Sequence, residues 1–380
     1  MAKFLSSVES DAFFDFNSVY GVPEVPVAGD AIRIFGARLP PSTRDLQPIT
    51  ESGHGRSVVA SVAQRERASA GFSMYCRPSS TAGNAPPGGD VLKLAMGSET
   101  LNNSQAEYGL ITDASGLHGS LFVKDNLGHK SAVGWVISSW NLSWSSDGPA
   151  IYSFDGPCMT VRRFMPTVAD GGNLSAGRLE VDHPNRVGIG NVIDIDGGGA
   201  VIVIEEDENV RVLDSLTYAW SDNDDVEDGL PTASYGTHRD PLHATQGVLD
   251  LGGDFTDVKF ISGQLSVQTG TTLINSESGT VHATGALSAA RRRISFRSTF
   301  AAKEEVLDLL AEARDAPIKD TTLTLGRAGG PRLEIDMPKM QISGPVESPN
   351  AEGVTTVEIS GVAATTTGSN NELTLTYKNV

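Results

Sequence analysis

Phe72-Ser73-Met74-Tyr75-Cys76-Arg77 and Ile294-Ser295-Phe296-Arg297-Ser298-Thr299 are the two stretches on which the reading of this chain turns. Each alternates apolar and polar residues with a period of two, the pattern of a half-buried β-strand. Each is followed by helical spacing. Val306, Leu309, Leu310 and Ala313 recur at i, i+3, i+4 and i+7 within Ala301–Arg314, before Pro317. Val91, Leu94 and Ala95 share a face of Asp90–Met96, with Asp90 as the expected N-cap and Gly97 as the stop.

Behind each helix comes a polar stretch and then two strands split by a turn: Ile137–Trp144 with Ala150–Gly156, and Lys339–Ser343 with Thr355–Gly361. Further short runs at Ala31–Phe35, Val258–Ile261, Thr322–Leu325 and Leu333–Met337 alternate in the same way, and Gly, Pro, Asn and Asp punctuate them. The expectation is a mainly β chain that carries two diverged copies of one strand–strand–helix–strand–strand unit. Between the copies, Val187–Ile195, Ala200–Glu205 and Asn209–Leu213 read as three short strands of a small insertion, and Asp222–His243 reads as a linker loop. The expected division is therefore residues 1–165, 166–245 and 246–380.

Charge is uneven along these segments. The net charge of −18 comes mostly from residues 166–245, which hold 4 basic and 16 acidic side chains. No segment is strongly basic, which argues against a protein that grips nucleic acid by neutralising phosphates. The aliphatic run Ala200–Ile204 is far shorter than the roughly 20 residues of a bilayer span. Glu9, Asp11 and Asp15 interrupt the first apolar residues, unlike a secretory signal, so cytoplasmic synthesis and no membrane are expected. Cys76 and Cys158 form no CxxC and are expected as reduced, buried thiols.

Motifs of catalysis are missing from the sequence: it has no GxSxG, Walker loop or GxGxxG, and His238 and His243 fit no zinc spacing. No enzyme activity, cofactor or metal is expected. The acidic run Asp222–Gly229 departs from a calcium loop at Val226, where an oxygen ligand is needed, and reads as a solvated loop. Trp135, Trp140 and Trp144 read as packing residues. Arg291, Arg292 and Arg293, with Arg297 on the following strand, are the candidate subunit interface; alternate arginines on a strand point to opposite faces and cannot make one continuous patch against DNA.

In order and spacing the chain resembles the two-domain tail tube proteins of siphophages, bacteriophages with long non-contractile tails. The residues that carry the resemblance are Asn17–Gly21, the Gly71–Arg77 strand leading to Asp90–Gly97, Val187–Asn191 followed by Val201–Glu205, the Pro231–Gly247 linker, and Leu333–Pro338 through Asn371–Leu375. The resemblance implies two tandem β-sandwich or partial-barrel domains, each with one flanking α-helix. It also implies rings of three chains with pseudo-sixfold symmetry, stacked into a virion tail tube that assembles in the host cytoplasm. Partners would be further copies and other tail proteins (tape measure, terminator, distal tail), with viral DNA passing through unbound. Met1–Val25, Pro40–Gly55 and Gln105–Lys130 are the expected latches between rings. A terminator or baseplate ring component and a carbohydrate-binding β protein are the competing expectations.

Overall fold

Residues that alternate in the sequence alternate in burial. Along Gly148–Cys158, Ala150, Tyr152, Phe154 and Cys158 are buried while Ile151, Ser153 and Asp155 are half-buried. The computed structural model describes residues 10–49, 60–170, 177–207, 210–213, 220–221, 223–252, 255–256, 258–274, 282–288, 290–301, 317–349, 355–365 and 370–378. The chain is mainly β, in antiparallel sheets.

Eight strands pair edge to edge in one continuous sheet. Their order is Ala31–Arg38, Ala60–Tyr75, Gly148–Cys158, Ser139–Ser145, Ser262–Gln268, Arg293–Ala301, Thr355–Ala363 and Arg332–Pro349, with every neighbour antiparallel. Two flanking sheets cover its apolar face. One runs Ser10–Phe16, Gly119–Asp125, Gly128–Trp135 and Thr160–Phe164. The other runs Val248–Asp250, Ile318–Gly326, the first part of Arg332–Pro349, and Thr374–Lys378.

A single hydrophobic core joins these layers, with members from Ala12 to Tyr377. Trp135 and Trp140 are fully buried, and Trp135 donates its indole N–H to the Ala70 carbonyl at 3.1 Å. The C-terminal strand closes the core by pairing with Gln105–Leu110, far away in sequence. At that junction the Tyr377 hydroxyl donates to Tyr152 at 2.9 Å and lies 3.3 Å from Cys76 Sγ. Burial pushes the Cys76 thiol up to about 12, so it stays protonated and able to share that hydrogen bond. Both cysteines are free and buried.

The helix Gly89–Met96 matches the sequence reading, with Val91, Leu94 and Ala95 buried. Its N-cap is Gly88 at φ 73°, a left-handed conformation suited to glycine, so Asp90 lies in the first turn and does not cap the helix. Of the helix read at Ala301–Arg314, Ala301 is the last residue of the strand Arg293–Ala301, and residues 302–314 fall outside the described residues.

Three other expectations are corrected. Ser10–Phe16 is no free arm: it pairs with Ala31–Ile34 on one side and Gly119–Val123 on the other. Gln105–Lys130 is no long loop, because it holds the strands Gln105–Leu110 and Gly119–Asp125 and the start of Gly128–Trp135. Asp225–Asp228 is a strand, the second member of a six-stranded sheet that also contains Val192–Ile195, Ala200–Asp207 and Val210–Leu213. That sheet has a core of its own around Leu179, Ile193, Val203 and Val226.

Leu375→Ala removes a fully buried side chain where Thr374–Lys378 meets Gln105–Leu110. It is expected to destabilise the fold by about 2–5 kcal/mol in chemical denaturation. Hydrogen exchange should report early loss of protection in Gln105–Leu110, whose ladder depends on the same strand.

Candidate functional site

The eight-stranded sheet buries one face, and its register fixes what the other face carries. Successive cross-strand partners put Ser73, Ser153, Asn141, Ser266 and Ser295 in one row, continued by Val362 and Gln341. A second row holds Ser143, Gln264, Arg297, Ser360 and Ser343. The face is thus a ladder of small hydroxyl and amide groups crossing seven strands, and the Ser73 and Ser153 hydroxyls lie 2.8 Å apart. Two ion pairs lie on it: Arg38 sits 2.8 Å from Asp155, and Arg297 sits 3.2 Å from Glu358. These pairs are exposed and add little to stability.

Strand order repeats across the middle of this sheet. The first four strands are Ala31–Arg38, Ala60–Tyr75, Gly148–Cys158 and Ser139–Ser145; the next four follow the same sequence of connections. In each set the second strand pairs with the strand that comes last in sequence. Ser139–Ser145 then pairs with Ser262–Gln268 at seven successive positions, from Ser145↔Ser262 to Ser139↔Gln268. At the far ends, the 343–349 stretch pairs only with Thr355–Glu358 and Ser360 among the described residues, and Phe35 and Arg38 pair only with Ser73 and Gly71. These two backbone edges have no further strand partner among the described residues.

The four arginines separate. Arg293 and Arg297 stand on the exposed face of Arg293–Ala301, whereas Arg291 and Arg292 precede that strand, so the expectation of one alternating run is corrected. Arg292 turns inward and ties two remote segments together, donating to the Ile111 carbonyl and to Asn370 at 2.9 Å and lying 3.4 Å from Glu372. Arg291 lines the adjoining cavity of 320 Å³.

Polar clusters fix the acidic middle sheet onto the first flanking sheet. Arg162 bridges Glu66 at 2.7 Å and Glu206 at 2.8 Å. Burial acts to raise the Glu66 carboxyl, but hydrogen bonds from Arg162, Ser42 and Thr160 outweigh it and hold the group below its ordinary value. His129 is fully buried, with Nδ1 2.9 Å from Asp228 Oδ1 and Nε2 accepting the Val192 N–H at 3.3 Å. Because Nε2 accepts, the proton sits on Nδ1 and is donated to Asp228, which defines a neutral tautomer. Phe13, Phe122, Val192, Ile202 and Leu230 add an apolar seal between the same two sheets.

Beside Gly88 and Asp90 lies a cavity of 340 Å³ whose wall includes Asp30, Arg33, Arg77 and Tyr235. Burial, then the nearby Asp30, pushes the neighbouring Asp15 up to about 6. Among the described residues no group of three or more His, Cys, Asp or Glu is placed to hold a metal ion. No helix among them is long and apolar enough to cross a membrane. No protein-family model matches the chain, and no curated protein matches it.

Sequence reasoning missed the neutral ladder, because its members are scattered over seven strands and only the pairing register brings them together. It also missed His129, a polar residue wholly inside the fold whose sequence neighbours give no sign of burial.

Two outcomes are expected. His129→Phe keeps the ring stacked on Phe164 but leaves the Val192 N–H and Asp228 short of a partner, and should cost about 2–4 kcal/mol in denaturant titration, with exchange rising first at Val192–Ile195. The Asp15 carboxyl is raised when folded, so its contribution is full below pH about 4 and is lost as pH rises through about 6. Asp15→Asn should therefore gain stability relative to wild type across that window, and the difference in denaturation midpoint should level off above it.

Proposed function

We propose that this protein is the structural subunit of a siphophage-type tail tube, catalysing nothing and enclosing a channel for DNA. The observation that carries the reading is the repeated order of four strands on each side of the Ser139–Ser145/Ser262–Gln268 pairing, with an edge at each end of the eight-stranded sheet that has no further partner among the described residues. In this reading residues 1–165 and 246–380 are two copies of one tube domain, and residues 166–245 are an insertion carried beside the first.

A sheet with the same repeat on both sides of an internal junction, and outer edges without a further partner among the described residues, is built for head-to-tail addition of further copies. The edge at 343–349 then meets the edge at Phe35–Arg38 of the next chain, as Ser139–Ser145 meets Ser262–Gln268 within one chain. Three chains would close 24 strands. At about 4.8 Å spacing and about 40° tilt the backbone diameter is roughly 48 Å, which leaves a bore of about 40 Å for a duplex about 20 Å wide.

The hydroxyl and amide ladder is the surface that would line the bore. Phosphates would meet mostly hydroxyl and amide groups there, with Arg297 paired to Glu358 and Arg293 as a single further cation per chain, so DNA is held weakly at most. Arg293 and Arg297 lie on that lining and Arg292 serves as an internal clamp, which leaves Arg291 as the member of the four suited to a contact between chains. The acidic middle sheet would stand on the outside.

Negative-stain microscopy of the purified chain is expected to show long hollow tubes of uniform bore; isolated rings would favour a terminator or baseplate component, and featureless monomers would overturn the proposal. A second measurement probes the bore. Ser153→Arg with Ser266→Arg should leave the tubes intact but make them retain duplex DNA at low salt, with retention falling steeply as salt rises. Wild-type tubes should retain none.

A further inference from the structure

A β-hairpin leans across the junction in the middle of the sheet. It consists of Thr271–Ile274 and Gly285–Ser288, and it leaves the sheet between Ser262–Gln268 and Arg293–Ala301. Leu273, Ala283 and Ala286 pack on Val136, with Tyr20 alongside. The Ala114 N–H donates to Ser288 Oγ at 3.2 Å, the Thr269 hydroxyl donates to the Ile137 carbonyl at 2.6 Å, and the Thr269 N–H donates to the Ser138 carbonyl at 3.0 Å. The hairpin therefore clasps the connection Val136–Ser138, where the chain passes from the flanking sheet into the eight-stranded sheet.

The first set of strands has a hairpin at the same place. Thr43–Ile49 and the first part of Ala60–Tyr75 pair with each other, from Thr43↔Arg67 to Ile49↔Ala60, and leave the sheet between its first and second strands. Its base is held on Thr160–Phe164, where Glu66 meets Thr160 and Arg162 and the Val161 N–H donates to Ser42; like its counterpart, it has no further strand partner among the described residues. A two-stranded ribbon alone is at best marginally stable in water.

The surface such a ribbon would cover is present in the second half. The counterpart of Val136–Ser138 is the middle of Arg332–Pro349, where pairing changes from Thr374–Lys378 to Thr355–Ala363. Val136 is fully buried under its hairpin. Ile318, which pairs with Gln341 beside the corresponding connection, is 64% exposed.

We infer that the ribbon Thr43–Ile49/Ala60–Arg67 is a lateral clasp that folds over the Ile318 and Pro338–Gln341 surface of a second copy of this chain, in the same ring. The inference rests on the ring reading above. It replaces the idea that the 40–55 region reaches only toward the next ring. Each hairpin then locks the junction at which it emerges, once within the chain and once between chains.

The test places a photo-crosslinking p-benzoylphenylalanine at Gln47 of the full chain, assembles a mixture of isotopically light and heavy chains, and maps the products by mass spectrometry. The same group at Ser288 is the control and should label Ile111–Ala114 of its own chain. Mixed light–heavy products joining residue 47 to residues 317–319 or 337–341 are expected. Rings or tubes whose residue 47 labels its own chain or any other surface would overturn the clasp and leave the ring reading standing. A monomeric sample with no mixed products would sink both. Ile318→Asp supplies an independent readout: because the side chain is exposed, the monomer should melt unchanged while the yield of assembled particles falls at least tenfold.

Discussion

Seven consecutive backbone pairings between Ser139–Ser145 and Ser262–Gln268 are the constraint on which the rest of the molecule depends. They convert two sets of four strands into one sheet with one buried face. The flanking sheets, the helix Gly89–Met96 and the shared core all pack against the continuous surface that results. Were the two sets independent, each would expose a long apolar edge, and the single cluster that runs from Ala12 to Tyr377 could not form.

Register also decides the chemistry of the exposed face. A slip of one residue at that junction would exchange Asn141 and Ser266 for Trp140 and Val267, moving aromatic and aliphatic side chains into water. The burial of Trp140, Leu142 and Trp144 therefore enforces the hydroxyl ladder on the opposite side. Core packing and surface neutrality are two results of the same alternation.

Much of this was legible in the residues. Strands with one wet face announce themselves by alternation, as at Ile294–Phe300 and Thr374–Lys378, and glycines punctuate the helix Gly89–Met96. Ser10–Phe16 escaped because Ala12, Phe13 and Phe14 are all buried: a strand packed on both faces loses the period of two. Asp225–Asp228 escaped because acidic residues disfavour strands in isolation, and its place is set by pairing with Val192–Ile195. The inward turn of Arg292 has no local signal, since its partners Ile111, Asn370 and Glu372 are remote in sequence. The same holds for the clasping hairpin, whose meaning comes from what lies beneath it.

The pairing of Thr374–Lys378 with Gln105–Leu110 has a consequence for biosynthesis. A ribosome makes Gln105–Leu110 long before Thr374–Lys378, so that edge waits for everything between the two strands to be synthesised before its neighbour emerges. Until then the nascent polypeptide lacks both that neighbour and the Tyr377 hydroxyl that reaches Tyr152. Chain growth thus runs ahead of core closure, and the half-built sheet carries an unpaired edge through that interval.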